Sequence, residues 1–406
     1  MSYPIDQAIT YTAVASTQGR PSDTFTYAWS FDDNTTGNTN TLSKTWTTGG
    51  YHAATVTATD NTTQSTAVAS KMVRVASSWI TDTNNIPAYT SNFYGPSVVP
   101  LLDGTILIIG CRKDNNTTIG NTSYVYNPAS RVLTQVGNLP ASRIYTSGES
   151  AVRLSDGRVL ATGAYISGSS GSIEARRTFI YDPPSRTWSE SGLRNYGLEY
   201  GSLYTTVLMG NGKVFSASAY STTFRNEIFD PSTGTWTLLP NQPSSTSGNG
   251  PSVCLMQDGR VFKGPGVNDA DVGCVAYSPT TNTWSTLASC PSSQARIVAM
   301  SDGRLLGLNL STPTPGQYIY TPSTDTWATG IGPTIPTPSG YPSLFTHSGE
   351  TIYTRGSSSI SAFNGTSWYA YPTLNTAHSG AYITESSGIT VCIGSSDGST
   401  VMEYLW

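Results

Sequence analysis

A tight-turn signature returns seven times along this chain, and it restricts the fold more than any other feature. The seven stretches are LLDGTILII, RLSDGRVLA, MGNGKVFS, MQDGRVFK, MSDGRLLG, THSGETIY and ESSGITVC. Five carry Asp-Gly or Asn-Gly between apolar runs, the strongest short-range hairpin signal, so a two-residue type I′ turn is expected there. Ser-Gly fills the other two. A second turn follows downstream in YNPASRVL, YDPPSRTW, FDPSTGTW, YSPTTNTW, YTPSTDTW and FNGTSW. It leads into a strand opened by Trp188, Trp236, Trp284, Trp327 or Trp368, with Val132-Leu133 in that place in the first copy. Each copy reads as a four-stranded antiparallel sheet of about 40 to 55 residues, which is a propeller blade.

There are seven first turns, yet the chain stops at Trp406, where the seventh copy should begin its Trp strand. One outer strand is missing. SSWITDTNNIPAYTS, around Trp79, has the form of a Trp strand with its exit loop, as in NTWSTLASCPSSQ. The strand near Trp79 is therefore expected to complete the last blade and close a seven-bladed propeller over residues 77–406. Closure by a shared strand removes the exposed sheet edges an open array would present.

Residues 1–76 read differently. The segments AITYTAVA, TFTYAWSF, TLSKTWT, YHAATVTATD and AVASKMVRV alternate with period two and are separated by turn-rich stretches such as FDDNTTGNTN. Such segments are half-buried antiparallel strands of a β-sandwich. Ala54, Val56 and Ala58 fall on one face and Thr55, Thr57 and Thr59 on the other, and Trp29 and Val56 are expected to be inward core residues. YAWSFDDN followed by GGYHAATVTATDN resembles the polycystic-kidney-disease (PKD) type of immunoglobulin-like domain, with Asp32-Asp33-Asn34 where that pattern has Gly-Asp-Gly. The resemblance implies an extracellular spacer, docking piece or weak binder. Asp32, Asp33 and Asp60 could gather calcium, but turn carboxylates more commonly cap the backbone, and no metal is assigned.

DGRVLATG, FIYDPPSRTW and their copies resemble kelch-type propellers of the branch that includes galactose oxidase. The Gly pair of that pattern is reduced here to Gly110-Cys111, Gly163-Ala164 or Gly264-Pro265. Galactose oxidase implies a copper site of two His, two Tyr and a Cys. Of the three histidines, His52 lies in the sandwich, His347 at a first turn and His378 at the entrance to the last blade, so they should not converge. Tyr51-His52 is in the wrong domain. No cofactor is assigned.

Function usually concentrates on variable loops carried by a rigid scaffold. In this architecture those loops join the second and third strands and link successive blades. They contain Arg143, Tyr145, Tyr165, Arg176, Arg177, Tyr196, Tyr200, Tyr220 and Arg225, the candidate ligand-binding residues, together with Arg194. Tyr and Arg among Ser, Gly and Asn make an adaptable surface suited to glycans or proteins. Plain abundance of Tyr and Ser is the competing reading. Glu149 and Glu199 are the one carboxylate pair considered for hydrolysis, and acids scattered on a solvated face are the simpler account, so no catalytic residue is assigned.

Charged residues make up 11% of the 406, against about 25% in an ordinary soluble domain. The surface must be rich in hydroxyl and amide groups. A net charge of -4 without a Lys/Arg cluster argues against nucleic acid. No apolar run is long enough to span a membrane. Cys111, Cys254, Cys274, Cys290 and Cys392 form no metal or disulfide pattern and read as buried thiols. The N-terminus lacks the basic and apolar regions of a secretory signal. Both modules are usually met outside cells, so the expected setting is a bacteriophage virion released by lysis. There the chain would be a non-enzymatic capsid-decoration or tail-associated protein in a larger assembly, with virion proteins or host-surface glycans and proteins as partners. A secreted bacterial surface adhesin or carbohydrate-binding protein is the alternative, with a propeller enzyme less favoured.

Overall fold

The computed structural model describes residues 2–4, 8–76, 78–85, 97–109, 122–140, 151–162, 176–196, 205–217, 226–243, 249–267, 272–293, 295–309, 316–329, 342–347, 350–355, 358–363, 365–376, 382–386, 388–393 and 401–405. Their regular elements are all β-strands. Two compact units result, one of residues 1–79 with 370–373 and 405–406, the other of 80–369 with 374–404.

The first unit holds β1 (Ser2–Pro4), β2 (Ala8–Thr12), β3 (Phe25–Phe31), β4 (Thr36–Gly37), β5 (Thr41–Thr45), β6 (Gly50–Asp60) and β7 (Thr66–Ala76). One sheet runs β1-β7-β6-β3-β4, and β2 pairs with β5. Period-two alternation decides which side is core. Trp29 lies opposite Val56, and both join Ile9, Tyr11, Phe31, Trp46, Ala54, Val73 and Val75 in one cluster. The expected inward positions of Trp29 and Val56 are the observed ones, with Ala54 buried beside them and Ala58 half-buried.

The three acidic turn residues go to separate partners. Asp32 Oδ2 lies 3.2 Å from His52 Nδ1. Asp33 accepts from Thr35 N–H at 3.1 Å and pairs with Lys44. Asp60 accepts from the N–H groups of Thr62 and Thr63 at 2.7 and 3.2 Å and pairs with Arg20 at 3.1 Å. Each therefore caps a turn or pairs with a base, which is the commoner role of such carboxylates. Burial by itself raises the Asp60 carboxyl, but the Thr62 and Thr63 donors and Arg20 outweigh it and hold it at about 2. Lys44, then Thr35, hold Asp33 at about 2.

Both values lie below the ordinary carboxylate range near about 3.9. A depressed folded-state pKa adds stability that is complete above the unfolded value and lost as pH falls through the folded one. The urea midpoint of the first unit, followed by tryptophan fluorescence, is therefore expected to fall between about pH 4 and pH 2. Asp60→Asn should flatten that decline. A decline as steep in the variant as in the parent chain contradicts this assignment.

The second unit opens with β8 (Ile80–Asn85) and continues as seven sheets. The first comprises β9 (Ser97–Pro100), β10 (Ile106–Ile109), β11 (Ser123–Asn127) and β12 (Val132–Val136). The second comprises β13 (Ala151–Arg153), β14 (Val159–Thr162), β15 (Thr178–Asp182) and β16 (Thr187–Glu190). The third comprises β17 (Thr205–Leu208), β18 (Val214–Ala217), β19 (Glu227–Asp230) and β20 (Thr235–Leu238). The fourth has β21 (Asn249–Leu255), β22 (Val261–Val267), β23 (Cys274–Ser278) and β24 (Thr283–Leu287). The fifth has β25 (Ala295–Ala299), β26 (Leu305–Asn309), β27 (Gln317–Thr321) and β28 (Thr326–Thr329). The sixth has β29 (Pro342–His347), β30 (Glu350–Arg355), β31 (Ile360–Phe363) and β32 (Trp368–Tyr371).

Strands β33 (Tyr382–Ser386), β34 (Ile389–Ile393) and β35 (Val401–Leu405) form the seventh sheet, and β8 is its fourth member. Glu403 lies opposite Thr81, and Tyr404 opposite Ile80. The missing outer strand is thus supplied from the residues just after Trp79. Trp79 itself is buried, and its indole N–H donates to the Pro372 carbonyl at 2.8 Å.

The first turns differ from the expected type I′. Leu101 N–H donates to Thr105 at 2.8 Å and Gly104 N–H to Leu101 at 3.3 Å, and the same pair of bonds recurs at Leu154, Met209, Met256 and Met300. Only the glycine has positive φ, between 79° and 91° in these five turns. These are three-residue loops, a type I turn followed by a left-handed glycine. The preceding Asp is the physical reason. Its carboxylate accepts the N–H two residues on, as in Thr105 to Asp103 at 2.9 Å and Arg260 to Asp258 at 3.0 Å, and this Asx turn forms with the Asp at negative φ.

The second turns place Arg131, Arg186, Asn282 and Asp325 at φ between 50° and 57°, and Gly234 and Gly365 at 68° and 96°. Tyr277 donates its hydroxyl to Asn282 at 2.9 Å, and Tyr320 to Asp325 at 2.8 Å. Where the turn residue is Gly, the aromatic is Phe229 or Phe363, which has no hydroxyl to satisfy.

Packing runs from sheet to sheet. Strands β9, β13, β17, β21, β25, β29 and β33 neighbour one another in that order, and β33 also neighbours β9. Val99, Leu107, Ile109 and Val125 pack against Val159, Phe179 and Tyr181 between the first two sheets. Ile389, Val391, Ile393, Met402 and Tyr404 pack against Ile106, Ile108 and Tyr126 between the seventh and the first. Second strands are covered on both faces, which is why β10 is apolar at all four positions rather than alternating.

Candidate functional site

The up-and-down order of each sheet sends the two tight turns to one end of the strands. The second-to-third-strand loops and the sheet-to-sheet connections leave from the other end. Of the candidate residues, Arg143, Tyr145, Tyr165, Tyr200, Tyr220 and Arg225 lie outside the described residues, as do Glu149, Glu199, Cys111 and His378. Arg176, Arg177 and Tyr196 lie inside them.

Arg176 and Arg194 extend the β15–β16 ladder into the loop stems. Arg194 N–H donates to the Arg176 carbonyl at 2.9 Å, and Arg176 Nε returns a bond to the Arg194 carbonyl at 2.6 Å. Arg177 Nε lies 3.4 Å from Glu190 Oε1. Tyr196, half-buried, follows two residues after Arg194. Arg176, Arg194 and Tyr196 therefore share one stem, while Arg177 is turned toward Glu190 on the adjoining strand.

Beneath this stem lies a buried polar network of which the sequence reading names only Arg194. Arg194 and Glu227 are both fully buried, with Nη2 and Oε1 3.5 Å apart. Arg194 Nη1 donates to Ser216 Oγ at 2.7 Å, and its guanidinium lies 4.5 Å from the Trp236 ring centroid. Glu227 Oε2 accepts both the backbone N–H and the side-chain amide of Asn195 at 3.0 Å. The adjacent Asn226 and Gln242 take buried Lys263 Nζ at 3.2 and 2.9 Å, and Asn226 Nδ2 donates to Gln242 Oε1 at 3.0 Å.

A second instance lies one strand end before the seventh sheet. Buried Glu403 accepts the N–H groups of Asn375 and Thr376, each at 2.7 Å, and Asn375 Nδ2 donates to Thr81 Oγ1 at 3.2 Å. Charges this deeply buried persist only when paired and hydrogen-bonded. In both places a third-strand carboxylate grips the first residues of a sheet-to-sheet loop. The available signal was a charge inside an apolar strand, as in NEIFD, VFKGP and VMEYL, in a chain with so few charges.

Glu227 Oε2 and both oxygens of Glu403 accept from donors in the stems, and buried Glu227 Oε1 lies 3.5 Å from Arg194 Nη2. The described cysteines are no better placed for chemistry. Cys254, Cys274, Cys290 and Cys392 are buried and free, and burial pushes Cys254 up to about 12 and Cys290 up to about 11. A thiol so shifted offers almost no thiolate at neutral pH. Among the described residues no group of three His, Cys, Asp or Glu could hold a metal, and no helix is long and apolar enough to cross a membrane. The first unit carries one open groove of about 740 Å³, lined by Tyr11, Phe25, Tyr27, Trp29, Ala67 and Ala69 among others.

No curated protein matches this chain. Residues 4–75 match the PKD domain, so the sandwich built on Trp29 and Val56 is a PKD domain at the N-terminus of an all-β chain.

Proposed function

We propose that the second unit is a seven-bladed, kelch-like β-propeller and that the chain is a non-enzymatic protein of a bacteriophage particle. In this reading the PKD domain docks the chain on its assembly, and the propeller presents its loops to host-surface glycans or proteins. The cyclic order of the inner strands and the completion of the seventh sheet by β8 support the propeller. The observation that carries the function is the use made of the buried carboxylates. Glu227 and Glu403 hold loop stems in place, which suits a rigid presenter of loops and supplies no acid or base to a substrate.

A low-charge, hydroxyl-rich composition supports a particle surface. The same chemistry serves a secreted bacterial surface adhesin, a second reading that the PKD domain favours as a surface-type module. Mass spectrometry of particles sedimented from the source culture separates the two. Peptides at a fixed ratio to the major capsid protein are expected, and their copy number distinguishes decoration from tail fibre. Peptides confined to the soluble supernatant would sink the particle reading and leave the adhesin.

A further inference from the structure

We infer that the open groove of the PKD domain holds an acidic oligosaccharide, with a sugar ring against Tyr27 and a carboxylate at Lys71. The groove follows from the unequal layers of the sandwich. Five strands form one sheet and only β2 and β5 the other, so the inner face of the larger sheet is roofed over part of its width. Where the roof ends, about 740 Å³ stand open between the stretch from Tyr11 to Gln18 and strands β3, β6 and β7.

The floor of the groove is aromatic. Phe25 and Tyr27 are half-buried and continue the row of buried Trp29 and Phe31 along the inner face of β3. The rim carries hydroxyl and amide groups. Ser16, Gln18 and Thr66 line it, and their side chains, like the Tyr27 hydroxyl, have no hydrogen-bond partner among the described residues.

Two charged residues belong to the lining, Asp60 and Lys71. Asp60 is already taken by Arg20 at 3.1 Å, by Thr17 at 3.3 Å and by the N–H groups of Thr62 and Thr63. Lys71 shares the inner-face series of Val73 and Val75 but is exposed, and it has no ion pair among the described residues. Its ammonium is the one uncompensated charge on the lining.

A pyranose ring presents an apolar C–H face and a hydroxyl edge, the two features that an aromatic floor with a hydroxyl rim recognises. The free ammonium selects a sugar that carries a carboxylate. Tyr27 lies opposite Ala58, and Ala58 opposite Ala67. Lys71 follows four residues further along β7, about 13 Å at about 3.3 Å per residue. The two anchors are therefore spaced for a short oligosaccharide rather than a single sugar. This site belongs to the first unit alone and is independent of how the second unit is read.

Isothermal titration calorimetry of the full chain with hyaluronan hexasaccharide, sialyllactose and neutral maltohexaose tests this. At least one acidic sugar is expected to bind with Kd on the order of 0.1–1 mM, and maltohexaose at least about fivefold more weakly. Lys71→Gln should remove that preference, weakening the acidic sugar about fivefold and leaving maltohexaose within about twofold. Ala69→Leu fills the groove from an exposed position and should abolish binding of every sugar with an unchanged melting temperature. Failure of both acidic sugars to bind, a preference for maltohexaose, or binding indifferent to Lys71→Gln or to Ala69→Leu overturns the inference. So does binding of the extended peptide Thr-Val-Thr-Val-Thr in place of any sugar, which would make the groove an acceptor of polypeptide strands.

Discussion

Glu227→Ala is expected to lower the melting temperature of the second unit by about 6 to 10 °C. Arg194 and Glu227 are both 0% exposed. Removing the carboxylate leaves a guanidinium in the interior with its counter-charge gone and strips the Asn195 N–H of its acceptor. Breaking a buried pair from one side costs about 3–5 kcal/mol, and a unit this large shifts by about 2 °C per kcal/mol. Replacing both partners, Arg194→Met with Glu227→Leu, should recover most of the loss, because apolar residues of similar volume often match a buried pair. Arg177→Ala, which removes only the partly exposed pair with Glu190, should change stability by no more than about 1 kcal/mol. Calorimetry of the three variants measures this. A drop under about 2 °C for Glu227→Ala would show that the pair does not hold the stem.

Replacing residues 80–85 by a Gly-Ser hexapeptide, which keeps the chain length, should cost the second unit about 4 kcal/mol, or about 8 °C. Two contributions add up. The backbone of β35 loses its outer partner. Asp82 no longer accepts the hydroxyl of Tyr126, a fully buried tyrosine on the first sheet. Burial, then Asp82, pushes that phenol upward, so it stays protonated and is left as an unsatisfied donor. Hydrogen exchange at residues 401–405 should accelerate with it. Unchanged melting and unchanged exchange at β35 would contradict a closing role for β8.

What the sequence made legible is what local chemistry decides. Asp-Gly or Asn-Gly between apolar runs marked five of the seven hairpins, and the repeat count pointed to the strand after Trp79. The turn type was misread because the Asp side chain, which binds the N–H two residues on, was left out of the backbone argument. Trp29 and Val56 were readable as core because alternation alone assigns their face. The Arg194–Glu227 pair was not, because Arg194 lies in the stem after the second sheet and Glu227 on β19 of the third, and no period links them. Lys263 shows the limit: a lone charge in VFKGP signals burial, but only the fold brings it to Asn226 and Gln242. Arg176 and Tyr196 were named for their composition, and the structure brings them to one stem without showing what they bind.

Cryo-electron microscopy class averages of the full chain test the proposed closed seven-bladed architecture most directly. Seven sheets around one axis are expected, with residues 80–85 as the outer strand of the seventh beside β35. A different number of sheets, or an arc with its seventh sheet lacking an outer strand, would contradict it.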